Sequence, residues 1–151
     1  MSPFSRFYFV LFATGLLLAL GACDAFNGDD GSQPPSVAGF YDTSTLTVMT
    51  DTGAVDALAR GTSIKMRIKP DNTVEDGVLV ISSEFTEDDV QGSRRVTFAG
   101  TWSRVSDSTI TFEHDADTFI RDTQWDVEND TLRANNGEVT AVLVRQEEGS
   151  S

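Results

Sequence analysis

The sequence predicts an all-β fold, an eight-stranded antiparallel up-and-down barrel with one short helix. Three observations carry it. From Gly39 onward, apolar and polar residues alternate with period two. Turn signals separate the alternating runs at intervals that suit a meander. Eight sequential antiparallel strands would also leave two open edges, and closing them into a ring removes both. An open β-sandwich is the alternative that the same pattern allows.

The predicted strands follow in order. The first covers 39–50. The second, 62–69, contains Ile64-Lys65-Met66-Arg67-Ile68-Lys69, a strict alternation that marks a half-buried strand. Between them, 54–60 reads as a helix, with Asp51 or Thr52 as its cap and Gly61 just beyond its end. Pro70-Asp71-Asn72 turns the chain into the third strand, 74–82. In the fourth, 94–105, Val96, Phe98 and Trp102 share one face, with Thr97, Thr101 and Ser103 opposite. Ser106-Asp107-Ser108 leads to the fifth, 108–114, where Ile110 and Phe112 share a face. The sixth, 118–127, sets Phe119, Trp125 and Val127 on one parity. A short seventh, 130–134, follows Asn129-Asp130 and carries Leu132. Asn135-Asn136-Gly137 is a tight-turn signal, because Asn and Gly tolerate positive φ. The last strand, 138–146, is almost continuously apolar, as a strand covered on both faces would be.

The N-terminus has the layout of a secretory signal. Arg6 precedes an apolar run over 7–20, and Leu20-Gly21-Ala22 precedes Cys23, the only cysteine. That ending resembles the lipobox of bacterial lipoproteins. The resemblance implies diacylglycerol on the Cys23 sulfur, cleavage just before it, and acylation of the new amine. The alternative is an uncleaved transmembrane anchor, for which the apolar run is short. The domain plan is therefore a lipoprotein signal peptide at 1–22, an acylated cysteine and flexible tether at 23–38, a barrel at 39–146 and a disordered tail at 147–151. The tether is rich in Gly, Ser, Asp and Pro and would span roughly 20 Å root-mean-square. The expected location is the cell envelope, extracytoplasmic and lipid-anchored, with inner or outer membrane left open. With Cys23 lipidated, disulfides, thiolate chemistry and zinc–cysteine sites are excluded.

The chain carries 24 acids against 11 bases, a net charge of −13. Nucleic acid and anionic lipid headgroups are therefore excluded as electrostatic partners. The Asn27-Gly28-Asp29-Asp30-Gly31 run lacks the spacing of a calcium loop and belongs to the tether.

Little in the sequence points to chemistry. The one histidine, His114, lies in Glu113-His114-Asp115-Ala116-Asp117. Glu113, His114 and Asp117 offer metal-ligand types if they converge; the plainer reading is a polar turn, and no metal is expected. His114 has no serine in a nucleophile elbow to work with. Asp88 and Asp89 read as an exposed loop, so no enzyme and no cofactor are expected. Arg121, by straight alternation, shares a face with Phe119 and Trp125 and would then need an acidic partner or ligand head group. A bulge or a later strand start would turn it outward.

Three short motifs carry a further resemblance: Val37-Ala38-Gly39-Phe40-Tyr41, Gly100-Thr101-Trp102 and Leu143-Val144-Arg145. Together they resemble bacterial lipocalin-like domains, a branch of the calycin barrels, with Tyr41 where true lipocalins have tryptophan. The resemblance implies that Gly39, Tyr41 and Arg145 close the barrel's base, with the Arg145 guanidinium laid over the Tyr41 ring. It also implies a binding protein. The expected ligand is a small apolar or amphipathic molecule in the barrel, with Phe98, Trp102, Phe112, Phe119, Arg121 and Trp125 as lining candidates. The alternative is a packed barrel that serves as a protein-interaction or envelope-assembly module without such a ligand. A cavity of at least about 300 Å³ would favour the ligand, and a filled interior the packed module.

Overall fold

The computed structural model describes residues 34, 36–86 and 92–147. The expected signal segment, Cys23 and nearly all of the expected tether and tail therefore lie outside the described residues. Nine strands form: β1 (Gly39–Thr50), β2 (Gly53–Asp56), β3 (Ser63–Ile68), β4 (Thr73–Ile81), β5 (Arg94–Ser106), β6 (Thr109–His114), β7 (Trp125–Glu128), β8 (Thr131–Asn135) and β9 (Val139–Gln146). A 3₁₀ turn, Ser83–Phe85, follows β4, and one short helix, α1 (Phe119–Asp122), precedes β7. The strands run β2-β1-β3-β4-β5-β6-β7-β8-β9, and β1 also pairs with β9. Eight antiparallel strands thus close into an up-and-down, lipocalin-like barrel, and β2 is an extra strand folded back on the far end of β1.

Register shifts in β1, β3, β4 and β5 mark bulges. Such bulges sharpen the twist that a small closed barrel needs. At the β4 bulge, Gly77 faces the Phe98 ring so closely that a Cβ would collide with it. Tyr41, Ile64, Met66, Ile110, Phe112, Trp125, Leu132 and Leu143 fill the interior and are essentially inaccessible.

Two elements differ from the sequence prediction. The helix expected at 54–60 is β2 followed by a turn. Gly53, at φ +117°, allows a hairpin that pairs Val55 with Val48 and Ala54 with Met49. Asp56 Oδ1 then accepts from the Ala59 amide at 3.0 Å, and Ala57 O accepts from Thr62 at 2.9 Å, so the segment winds as a turn. The single strand expected at 118–127 is α1 and then β7. The helical turn buries Ile120 completely, and its carbonyl accepts from the Trp125 indole at 3.2 Å. The fold keeps its one short helix, at this second place.

At one end of the barrel, β1 and β9 meet around Tyr41 and Arg145. Tyr41 and Arg145 are register partners on β1 and β9. Tyr41 is fully buried, and its hydroxyl donates to Val37 O at 3.1 Å. Burial raises its pKa, against the pull of the Arg145 charge. The closing contact has another form than the expected stack. The Arg145 guanidinium donates to the carbonyls of Ser36 and Ala38, at 3.3 and 2.8 Å, and pairs with Asp130. Its methylenes lie over Gly39, where a Cβ would run into them. Among the described residues, the cation–π contact is instead Arg67 over Phe40, at 5.9 Å.

Candidate functional site

At the opposite end, the mouth, the alternation of the strands builds an apolar pocket. Leu46 and Val48 of β1 and Leu79 and Ile81 of β4 are spaced by two, so each pair projects to one face. Val139 contributes from the start of β9. Two short elements add aromatic walls, Phe85 from the 3₁₀ turn and Phe119 from α1. Ser82 holds the first in place: its carbonyl accepts from the Phe85 amide at 2.9 Å. Thr62 is also in the wall, and its hydroxyl accepts from the Ser82 amide at 2.9 Å. The exposed wall is consequently apolar throughout, and the cavity measures about 140 Å³. A pocket of that size and polarity, half open at the mouth, has room for a group the size of benzene.

The sequence-named lining candidates separate. Phe119 lines this cavity. Phe98, Phe112 and Trp125 are core: Phe112 meets Trp125 edge-on at 5.9 Å, and Phe98 stacks on His114 at 4.7 Å. Trp102 lies toward the base, where its indole donates to Lys69 O at 3.0 Å. Arg121 is turned outward, as a broken strand allows, and pairs with Asp117 at 2.8 Å and Asp122 at 2.9 Å. The residues that make most of the pocket, Leu46, Leu79, Ile81 and Phe85, are ordinary aliphatic and aromatic positions with no distinguishing sequence signal. Only the periodicity of β1 and β4 hints that they share a face.

A second concavity, a surface groove, is lined by Gly100, Glu113, His114, Asp115 and Arg121. His114 is the interesting group in it. Its Nδ1 is buried with no hydrogen-bond partner of good geometry, and Nε2 lies 3.5 Å from the Thr118 hydroxyl. Burial and then the Arg121 charge lower its pKa, opposed by the Ala116 backbone, Asp122 and Asp115. Among the described residues, no group of three metal-ligating side chains converges, and the carboxylates of Asp117 and Asp122 are held by Arg121.

The large hydrophobic side chains exposed among the described residues, Met49 and Val105, belong to opposite ends of the barrel and form no common patch. The chain matches no known family model, no curated protein and no solved structure.

Proposed function

We propose that this chain is a lipid-anchored, extracytoplasmic barrel whose mouth binds a small apolar group. The carrying observation is the 140 Å³ apolar cavity behind Phe85 and Phe119. Its volume is below the roughly 300 Å³ of an ordinary ligand site. The occupant is therefore a single ring or the end of an aliphatic chain. Anchoring rests on the Leu20-Gly21-Ala22-Cys23 motif, which resembles a lipobox.

The filled interior favours a second reading. Trp125, Phe112 and Tyr41 leave the middle of the barrel closed, as in a packed module that works through its outer surface. Benzene separates the two. In the binding reading, benzene near saturation raises the melting temperature of the full chain. Val139→Phe, which fills the cavity, abolishes that rise. A melting temperature indifferent to benzene leaves the packed module. In the same preparation, Cys23→Ser is expected to leave the membrane fraction or accumulate as precursor. Normal cleavage with retained membrane binding would refute the anchor.

A further inference from the structure

We infer that the outer edge of β2 receives an extended, basic segment of another protein as an added strand, whether or not the mouth holds a ligand. β2 is the strand outside the closed ring, and among the described residues it pairs with β1 alone. β9 occupies one edge of β1, so β2 and β3 share the other. β4 covers the far side of β3 as far as Ser63↔Val80, then ends at Ile81 and gives way to the 3₁₀ turn. Among the described residues, no strand therefore runs beside β2. The ladder identifies the backbone groups on its edge. The Ala57 amide donates to Leu46 O at 2.8 Å, one residue beyond Thr47↔Asp56 on each strand. Thr47↔Asp56 and Met49↔Ala54 are therefore non-hydrogen-bonded pairs, and Val48↔Val55 is the bonded pair between them. Met49 agrees, because its amide turns the other way, to Glu138 O at 2.7 Å. The amides and carbonyls of Ala54 and Asp56 thus point away from β1. They have no backbone partner among the described residues, and both residues are exposed.

Side chains and charge decide what fits. Met49 and Ala54 are cross-strand partners and share the outer face with Asp56. Met49 is 54% exposed, and its flexible thioether can pack on an apolar residue of an incoming strand. Asp51, in the turn, and Asp56 are exposed and have no ion pair among the described residues; Asp56 holds only the Ala59 amide. Arg60, the cation that follows, is already paired with Glu84. An antiparallel strand that meets this edge places one residue opposite Asp56 and, two residues on, another opposite Ala54 and beside Met49. A base suits the first position and an apolar side chain the second. A second copy is the poorer occupant. Pairing two β2 edges would gather Asp51 and Asp56 of both copies, between chains that each carry −13. A charge on an open edge is a common guard against such pairing.

The test titrates the full chain with the peptide acetyl-Lys-Val-Leu-Thr-Lys-amide at about 0.15 M salt and follows backbone amide exchange by nuclear magnetic resonance. At saturation, exchange of the Ala54 and Asp56 amides is expected to slow by about tenfold or more, while Val55, already in the ladder, stays as it was. The same peptide N-methylated at leucine keeps every charge and side chain but loses the donor to Ala54 O. It should bind about tenfold more weakly. Ala54→Pro removes the outward amide and leaves the ladder groups of Gly53 and Val55 in place; it should weaken the unmethylated peptide by a similar factor. Asp51→Asn combined with Asp56→Asn should weaken it severalfold and flatten its salt dependence. Equal binding of the two peptides means attraction by charge alone and overturns the inference. So does an absence of binding, or protection that arises away from β2. Protection of Ala54 and Asp56 that grows with protein concentration, without peptide, gives the edge to a second copy and overturns it as well. If Ala54→Pro fails to fold, the two peptides compared on wild type decide.

Discussion

Arg145 works through its hydrogen bonds more than through its charge. One guanidinium satisfies two carbonyls of the entering chain, at Ser36 and Ala38, and one carboxylate, Asp130, from the turn before β8. Arg145→Ala orphans those carbonyls and exposes Gly39. The expected cost is about 1–3 kcal/mol, read as a lower urea midpoint. Arg133→Ala, which breaks an exposed pair with Glu128, should cost at most about 1 kcal/mol. Lysine at 145 recovers only part, because one ammonium cannot reach three acceptors on different segments. Equal midpoints for the two alanine variants would contradict this account. That Gly39, Tyr41 and Arg145 meet is legible in the sequence, since first and last strands of a closed meander must pair. The form of their contact is not. It depends on where the Asp130 turn and the Ser36–Ala38 carbonyls lie, which no local pattern encodes.

At the scale of elements, the errors of the sequence reading fall on the shortest pieces. A four-residue strand or helix is too short to display either period. Ala54, Val55, Ala57 and Leu58 suit a helix as well as a hairpin and turn, and the pairing with Val48 decides. Phe119 and Trp125 look like one strand face, yet a helical turn between them buries Ile120. The pocket was half legible for the same reason: β1 and β4 could be read, whereas the 3₁₀ turn and α1 that bring Phe85 and Phe119 could not. The α1 region also carries a pH dependence. Well above the ordinary histidine pKa of about 6.5 the His114 ring is neutral both folded and unfolded and has no effect. As pH falls, the unfolded chain takes the proton first, because the folded ring is held below its ordinary value. Stability therefore drops from about pH 6.5 downward, until the folded ring protonates too. The carboxylates of Asp71 and Asp122, also lowered, lose their contribution only at more acid pH. His114→Phe keeps a ring on Phe98 and removes the titration. Between about pH 7 and 5.5, wild type should lose about 1–2 °C more in melting temperature than the variant, a small shift because the ring is partly solvated. Parallel curves would clear His114 of this role.

Over the whole molecule, the excess of acids dominates. Most of the ion pairs are exposed, with 51% of each side chain accessible at Arg60–Glu84, and such pairs contribute little. The net charge of −13 repels itself when the chain is compact. The melting temperature should accordingly rise as sodium chloride increases from about 0.01 to 1 M, over which the screening length shrinks from about 30 to 3 Å. A flat or falling curve would mean that attraction within the pairs outweighs the repulsion. The ring itself is uneven. β1 and β9 are joined along most of their length, from Phe40↔Gln146 to Val48↔Val139, whereas β6 and β7 share two register pairs, Thr109↔Asp126 and Ile110↔Trp125, extended by the Val127 amide on Ser108 O. Beyond Ile110, β6 continues to His114 paired with β5 alone, and the chain then passes through α1 before returning as β7. A ring has no edge until one joint parts, and this joint has the least ladder to break. Local opening there bares the upper half of β6 as a template for a strand of another copy, so the liability of the barrel to self-association is concentrated in one place, and α1 is what stands over it.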